Sequence, residues 1–481
     1  MSWTRFFALA GLLALTTSSV RAEDPKNLTL DDFLGQVKSQ GNGYRSASQA
    51  VEGLGKQKVQ TDLAYSPQVV AHGSRTDDRS QQSMPELYGD RNMMDNYGVG
   101  LVKKWKYGLT TALDYGWTRS QVDGSSYVSN APAYSVSPSA SVTLPLWRDF
   151  LGRQTRAQMD KIRFEIESAE YGSAQQREAF LYQARNAYWG LQLARDEVEI
   201  RQDTLARAVT IVAWAERRVR MRLADNSEAI QARAAKRVRD LELEQAMENE
   251  RSARIALNLL RGVESEDVPE TLDILGVQAA GLTFQWPEAA PKRWDVMSAE
   301  AKIKSDKAAW MDAKANAWPD FNLYATYSAN GLDGAYDDAY QTSTKALYPK
   351  TIVGGSIVIP LDVFTAKKAA DGYALNYQSS KSLYEDKILA SRQDWAQLKK
   401  RLDDVNRRLE LALEIEKIQK EKAEEERRQL NLGRTTQFQV QSYETDYALS
   451  RLQRLSITAQ KLAIWAEGEL VLSAERETAK K

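Results

Sequence analysis

The chain predicts a mixed fold: strands of a β-barrel joined to very long α-helices that pair as coiled-coil hairpins, laid down as two internal repeats. Three observations carry this. Both halves run helix, proline, strand, loop, strand, proline, long helix, break, helix. The strand segments alternate apolar with hydroxylated or small residues, and the helical segments keep a heptad spacing over a length no compact domain accommodates.

The first element is a secretory signal at 1–22. Arg5 supplies the positive start, Phe6 to Leu15 is apolar, and Val20-Arg21-Ala22 places small residues at a cleavage site after Ala22. No cysteine follows, so a lipid anchor on a processed N-terminal cysteine is excluded. No later run of 18 apolar residues exists, which removes helical membrane spans but leaves strands open.

The repeat comes next. "YRSASQAVEGLGKQKVQTDLAYSPQVVAHGS", from Tyr44, has the layout of "VMSAEAKIKSDKAAWMDAKANAWPDFNLYAT", from Val296, and Pro67 and Pro319 stop the two helices. Each proline removes a backbone donor and disfavours helix in the residue before it, so each marks a helix-to-strand junction. "SVTLPLWRDF" from Ser141 matches "SIVIPLDVFT" from Ser356, with Pro145 and Pro360 at the reverse junctions. The expected organisation is a first repeat at 23–262, a linking equatorial segment at 263–291, a second repeat at 292–474 and a polar tail at 475–481.

The strands follow from alternation. Tyr134, Val136, Pro138, Ala140, Val142 and Leu144 lie on one face, and Ser135, Ser137, Ser139, Ser141 and Thr143 on the other. Leu109, Thr111, Leu113, Tyr115 and Trp117 alternate likewise, and Phe321, Leu323, Ala325 and Tyr327 give a shorter set. Tyr97, Trp105, Tyr107, Trp117, Tyr134, Trp147 and Tyr348 are placed near strand ends, as interfacial aromatic belts require. Pro138 predicts a bulge or an edge, because a central strand cannot spare its donor. The first half carries an additional hairpin, roughly 97–105 and 107–117, that the second lacks, and the sequence leaves open whether it joins the barrel or hangs off it.

The long helices are the more specific signal. Phe180, Ala184, Ala187, Leu191, Ala194, Val198, Leu205, Ala208, Val212, Ala215 and Val219 repeat at four and three, with a charged skip at Arg201. Trp395, Leu398, Leu402, Val405, Leu409 and Ala412 do the same in the second half. Each helix is predicted at about 65 residues, or roughly 100 Å. They break at Leu223-Ala224-Asp225-Asn226-Ser227 and Leu432-Gly433-Arg434-Thr435-Thr436, and helices then resume to about Arg261 and Ala474. The charged run from Glu416 reads as a solvated face.

This order of parts, with "NLTLDDFL" opening the mature chain and the two junctions "SVTLPL" and "SIVIPL", resembles the TolC-like outer membrane factors from about Asn27 to Ala474. The resemblance implies a homotrimer in which three protomers close one β-barrel in the outer membrane and continue it as a helical tunnel into the periplasm. It implies an export conduit for small molecules or proteins in a tripartite efflux or type I secretion system, with an inner-membrane pump and a periplasmic adaptor as partners. The two breaks are then the periplasmic tips where the adaptor docks, with Ala224 and Gly433 at matching small-residue positions. Family members often narrow the entrance with aspartates just past the second tip, where this chain has Gln439 and Ser442, so an acidic ring is not expected there. Asp225, Glu228 or Glu444 are the acids that could replace it. Independently of the resemblance, four or six strands cannot enclose a water-filled pore, so protomers must share a barrel.

Composition argues against other classes. There are 65 basic and 65 acidic residues, one histidine and no cysteine, so no thiol, disulfide or histidine-cluster chemistry is available and no basic excess calls for nucleic acid. His72 stands without a second ligand. "NGLDGAYDD" from Asn330 lacks the glycine and closing glutamate of a calcium loop and reads as an extracellular loop. No phosphate loop, cofactor motif or metal site is expected, and no enzyme. The competing readings are a soluble periplasmic coiled-coil scaffold or adaptor, which needs the helices but not the strands, and a passive structural barrel.

Overall fold

A computed structural model describes residues 27–282 and 286–479, so the signal-peptide assignment lies outside the described residues. In chain order, β1 (Asn27–Leu28) leads into α1 (Leu30–Gln40), where Thr29 caps the helix by accepting the N–H of Asp32 at 3.2 Å. α2 (Asn42–Gln57) and α3 (Gln60–Leu63) end before Pro67, and β2 (Gln68–Asp78) starts directly after it. α4 (Pro85–Tyr88), β3 (Arg91–Lys104), β4 (Thr110–Asp123) and β5 (Ala133–Pro145) follow, and then α5 (Arg153–Arg220) and α6 (Asn226–Arg261). β6 (Thr271–Leu272) and α7 (Leu275–Gly281) precede the second repeat. That repeat comprises α8 (Trp294–Asn316), β7 (Asp320–Asp333), α9 (Tyr336–Thr344), β8 (Tyr348–Val358), α10 (Val363–Asn431) and α11 (Gln437–Thr478). α5 and α10 have 68 and 69 residues, as the seam length predicts.

Two compact units cut across the repeats: among the described residues one takes 42–183, 286–404 and 464–479, the other 27–41, 184–282 and 405–463. The first holds a six-stranded antiparallel sheet in the order β2-β3-β4-β5-β7-β8. The additional hairpin is thus in line with the other strands, and its members are longer than the 97–105 and 107–117 read from sequence. β7, expected to be short, has 14 residues. Tyr97 and Trp117 sit mid-strand rather than at strand ends, in register and stacked at 5.7 Å. Pro138 makes neither a bulge nor an edge. β5 is central, and its ladder to β7 merely skips Ser137 and Pro138, so the register that joins Val136 to Gly331 also joins Ser139 to Ser328. A ladder of this length tolerates one missing donor.

Register places Val69, Leu101, Leu113, Ala140, Tyr327 and Thr351 in one row across one face. This face is apolar yet open, with Val69 74% and Leu113 59% exposed. The opposite face carries the serines of β5, and His72 lies there over Gly98, where a Cβ would meet its ring at 2.3 Å. The segment from Asn330 is not a simple loop: α9 folds back over β7 and β5 on the apolar face. Gly331 makes this possible, since a Cβ there would stand 1.9 Å from the Ala339 carbonyl oxygen. Tyr336 shares a hydroxyl hydrogen bond with Tyr115 at 2.9 Å, and Val136 is wholly covered. In the same unit α5 and α8 approach through serines, Ser168 and Ser298 each donating to the other's carbonyl at 2.9 Å. Ala174, Trp294 and Ala474 form a local core.

In the second unit β1 pairs in parallel with β6. Tyr188 of α5, fully buried, ties the pair to the helices: its hydroxyl donates to the Leu28 carbonyl at 2.7 Å and accepts the Asp273 N–H at 3.0 Å. Burial pushes its phenol up to about 12. Arg261, also buried, donates to Asn258 at 2.8 Å and to Glu270 at 3.0 Å. Of the expected seam, Ala184, Leu191, Ala194, Ala208 and Ala215 are buried, but Leu181, Tyr188, Ile200 and Thr204 join them. The buried stripe on α5 is wider than one seam, because an α-helix drifts about 20° per heptad and this helix has neighbours on more than one side. On α10 the seam continues cleanly from Val405 and Ala412 through Ala423 to Leu430.

Candidate functional site at the helix tips

Both breaks lie in the second unit and share a recess of about 600 Å³ lined by Trp214, Arg218, Leu223, Leu430, Gly433 and Phe438. Each break has five residues between helices, 221–225 and 432–436. Asn226 and Ser227 are therefore the first turn of α6 rather than part of the turn between helices.

The two turns are built alike. At the second, the Arg434 N–H reaches the Gln429 carbonyl at 2.9 Å and the Gly433 N–H reaches Leu430 at 3.0 Å, with Gly433 left-handed at φ 71°. At the first, the Leu223 N–H reaches Arg218 at 2.9 Å and the Arg222 N–H reaches Val219 at 3.0 Å, with Arg222 at φ 57°. Both are Schellman caps, which satisfy the last helical carbonyls and need one left-handed residue. The counterpart of Gly433 is therefore Arg222, not Ala224, which is half-buried two positions later. Sequence reasoning missed this because it sought a small residue, whereas the helix's last carbonyls fix the position by counting from the helix end.

Gln439 has a definite task. Its N–H donates to the Thr436 hydroxyl at 3.3 Å, so Thr436 caps the start of α11, and its side-chain oxygen lies 2.8 Å from the Thr435 hydroxyl. Leu432, Gly433 and Arg434 are exposed, as are Leu223, Asp225 and Ser442. Of the three acids named from sequence, Glu444 is buried and takes two donor bonds from Arg427, Glu228 lies 3.8 Å from Arg218 with its side chain 40% exposed, and Asp225 is exposed. Asp446 was overlooked. It is half-buried and falls on the helical stripe of Gln439, Ser442 and Leu449, which heptad arithmetic from Gln439 would have found.

Behind the tips, side chains tie the four helices to one another. Arg201 pairs with Glu242 at 2.8 Å, Arg239 donates to Thr445 at 2.8 Å, Arg451 reaches Asp203 at 3.2 Å, and Arg454 pairs with Glu416. All are part-buried, and between them Ile200, Ala448 and Leu455 close an apolar cluster.

No protein-family model matches this chain, and no curated protein does. Solved structures do, and the fold of this chain is similar to that of several outer-membrane channels. The outer-membrane channel OprN superposes with a TM-score of 0.69 at 16% identity, over 92% of this chain and 89% of that one. The open-state MtrE outer membrane channel of Neisseria gonorrhoeae gives 0.66 at 16%, covering 95% and 93%, and VceC of Vibrio cholerae gives 0.65 at 14%, covering 92% and 95%. At these identities the likeness establishes the fold, and it is the fold the sequence resemblance implied.

Proposed function

We propose that this chain is the protomer of a trimeric channel-tunnel in the outer membrane, extending into the periplasm and conducting substrates outward. The observation that carries the reading is the open sheet. Among the described residues β2 and β8 are the edges of the sheet, and the apolar rows that α9 leaves uncovered, Val69 and Leu113 among them, are exposed, a state that water punishes and that a closed barrel in lipid relieves. Turn lengths agree: β3 and β4 are joined by 105–109, whereas the connections at the other end run 79–90, 124–132 and 334–347. Among the described residues no helix is long and apolar enough to cross a membrane, so the strands are the membrane-spanning candidates.

Three protomers of six strands make eighteen. With strands about 4.8 Å apart and tilted about 40°, such a barrel has a radius of roughly 18 Å, wide enough for a water-filled lumen. The likeness to outer-membrane channels supports an export role. The tips are the surface on which a periplasmic adaptor would dock, and an inner-membrane pump would supply the energy. The two repeats, 23–262 and 292–474, each contribute one helical hairpin. A soluble scaffold would have no use for the exposed apolar face, which counts against that alternative.

Detergent extraction followed by particle imaging tests the proposal. A three-fold tube is expected, and recovery as a soluble monomer after detergent-free lysis would overturn it.

A further inference from the structure

The apolar face of the sheet carries a head-and-tail arrangement on β2, β3 and β4 that transport does not require. Its tail is a shallow, apolar recess of about 580 Å³ among Val69, Leu101, Leu113, Pro138 and Tyr327, floored by the small Ala140. Further along the same strands, toward the long connections, Tyr97 and Trp117 stack. One row beyond them Arg75, Asp95 and Arg119 stand side by side in register. Arg75 lies 3.5 Å and Arg119 3.7 Å from opposite oxygens of Asp95, and their side chains are 70% and 44% exposed against 15% for the carboxylate. One acid thus serves two guanidiniums, and both contacts are long, so N–H donors remain to spare. The next arginine on this face, Arg91, is committed to Asp77 through bonds of 2.7 and 2.8 Å and offers no such capacity.

Resting on the membrane reading above, we infer that this face binds an outer-leaflet lipid with a phosphate monoester headgroup. The acyl chain fills the recess, the polar linkage crosses the Tyr97–Trp117 pair, and the phosphate sits between Arg75 and Arg119. Planar guanidiniums match phosphate oxygens bidentately, and a doubly charged phosphate outcompetes the single Asp95 carboxylate. The spacing fits. Val99 at the recess and Asp95 are four residues apart, about 13 Å along the strand and about 10 Å along the normal of a tilted strand, comparable to the depth of a headgroup layer. A free anion would gain nothing from the apolar recess, which is why the lipid is the occupant.

The assembled protein, reconstituted in phosphatidylcholine bilayers doped with dioleoylphosphatidate, tests this by native mass spectrometry of retained lipid. Wild type is expected to retain phosphatidate over phosphatidylcholine, and the double substitution Arg75→Gln, Arg119→Gln to reduce that retention about tenfold. Asp95→Asn, isosteric and so harmless to the fold, is expected to raise it by freeing both arginines. Equal retention of the two lipids by wild type, no loss in the arginine variant, or a fall with Asp95→Asn overturns the inference. Inorganic phosphate that strips the lipid at stoichiometric levels would show a soluble-anion site and overturn the lipid source. Vesicle flotation separates the levels: protein that does not integrate into bilayers refutes the membrane reading and the inference together, whereas integrated protein without headgroup preference refutes the inference alone.

Discussion

Arg222 and Gly433 hold the same left-handed cap at the two tips, so substitutions toward and away from glycine should act with opposite sign. Holding a non-glycine residue in the left-handed region costs about 1–2 kcal/mol. Replacing it by glycine recovers that but gives back about 0.4–1 kcal/mol through the freer unfolded chain. Arg222→Gly should therefore stabilise the first tip by roughly 0.5–1 kcal/mol, and Gly433→Ala should destabilise the second by a similar amount. Nothing lies within 4 Å of a Cβ built on Gly433, so its change is conformational and not steric. Amide hydrogen exchange read by mass spectrometry on the tip peptides is the assay, because local opening of an exposed turn is governed by its local free energy. Exchange of the amides at 221–225 should slow about two- to fivefold in Arg222→Gly, and exchange at 432–436 should quicken about two- to fivefold in Gly433→Ala. Changes of the same sign at both tips, or a response to Ala224→Gly as large as that to Arg222→Gly, would refute the assignment of Arg222 as the counterpart of Gly433.

Gly433→Glu should abolish export while oligomer levels stay normal, since the tip is exposed and remote in sequence from every strand; undiminished export would count against tip docking. Val142→Arg and Leu113→Arg, on the exposed apolar face, should each cost about 2–4 kcal/mol if near the bilayer midplane, seen as loss of assembled, heat-modifiable oligomer. Tyr188→Phe leaves the Leu28 carbonyl and the Asp273 N–H without their buried partner and should cost about 1–3 kcal/mol, read as a lower denaturant midpoint. Because the native phenol holds its proton to about 12 while the unfolded one releases it near 10.0, Tyr188 contributes fully below pH 10 and less as pH rises toward 12. The phenylalanine variant should lose that alkaline slope. Asp446→Asn should lower cation over anion permeability in single-channel recordings, whereas Glu444→Gln, which only unpairs Arg427, should leave it unchanged.

Much of this protein could be read from order and period alone. Pro67, Pro145, Pro319 and Pro360 mark the junctions because a missing donor and a locked φ act locally, whatever the rest of the chain does. Alternation in 134–144 and the four-three spacing from Trp395 likewise fix which face of each element is apolar, and α10 buries the face its spacing predicts. What sequence could not supply was anything decided by a partner distant in the chain. Pro138 sits in a central strand because the ladders on both sides carry the register past it, and Tyr97 meets Trp117 in mid-strand because pairing, not position in a segment, sets where a strand ends. α9 covers the apolar face because Gly331 lets a helix lie directly on the sheet, a close approach that leaves no periodic trace. Glu444 looked free in the sequence and is spent on Arg427, while Arg222 takes a left-handed cap that composition assigns to glycine, since the geometry of the helix end outweighs the preference of one residue. Local rules set the elements; the register, the close approach and the ion pair belong to the folded chain, where residues far apart in sequence first meet.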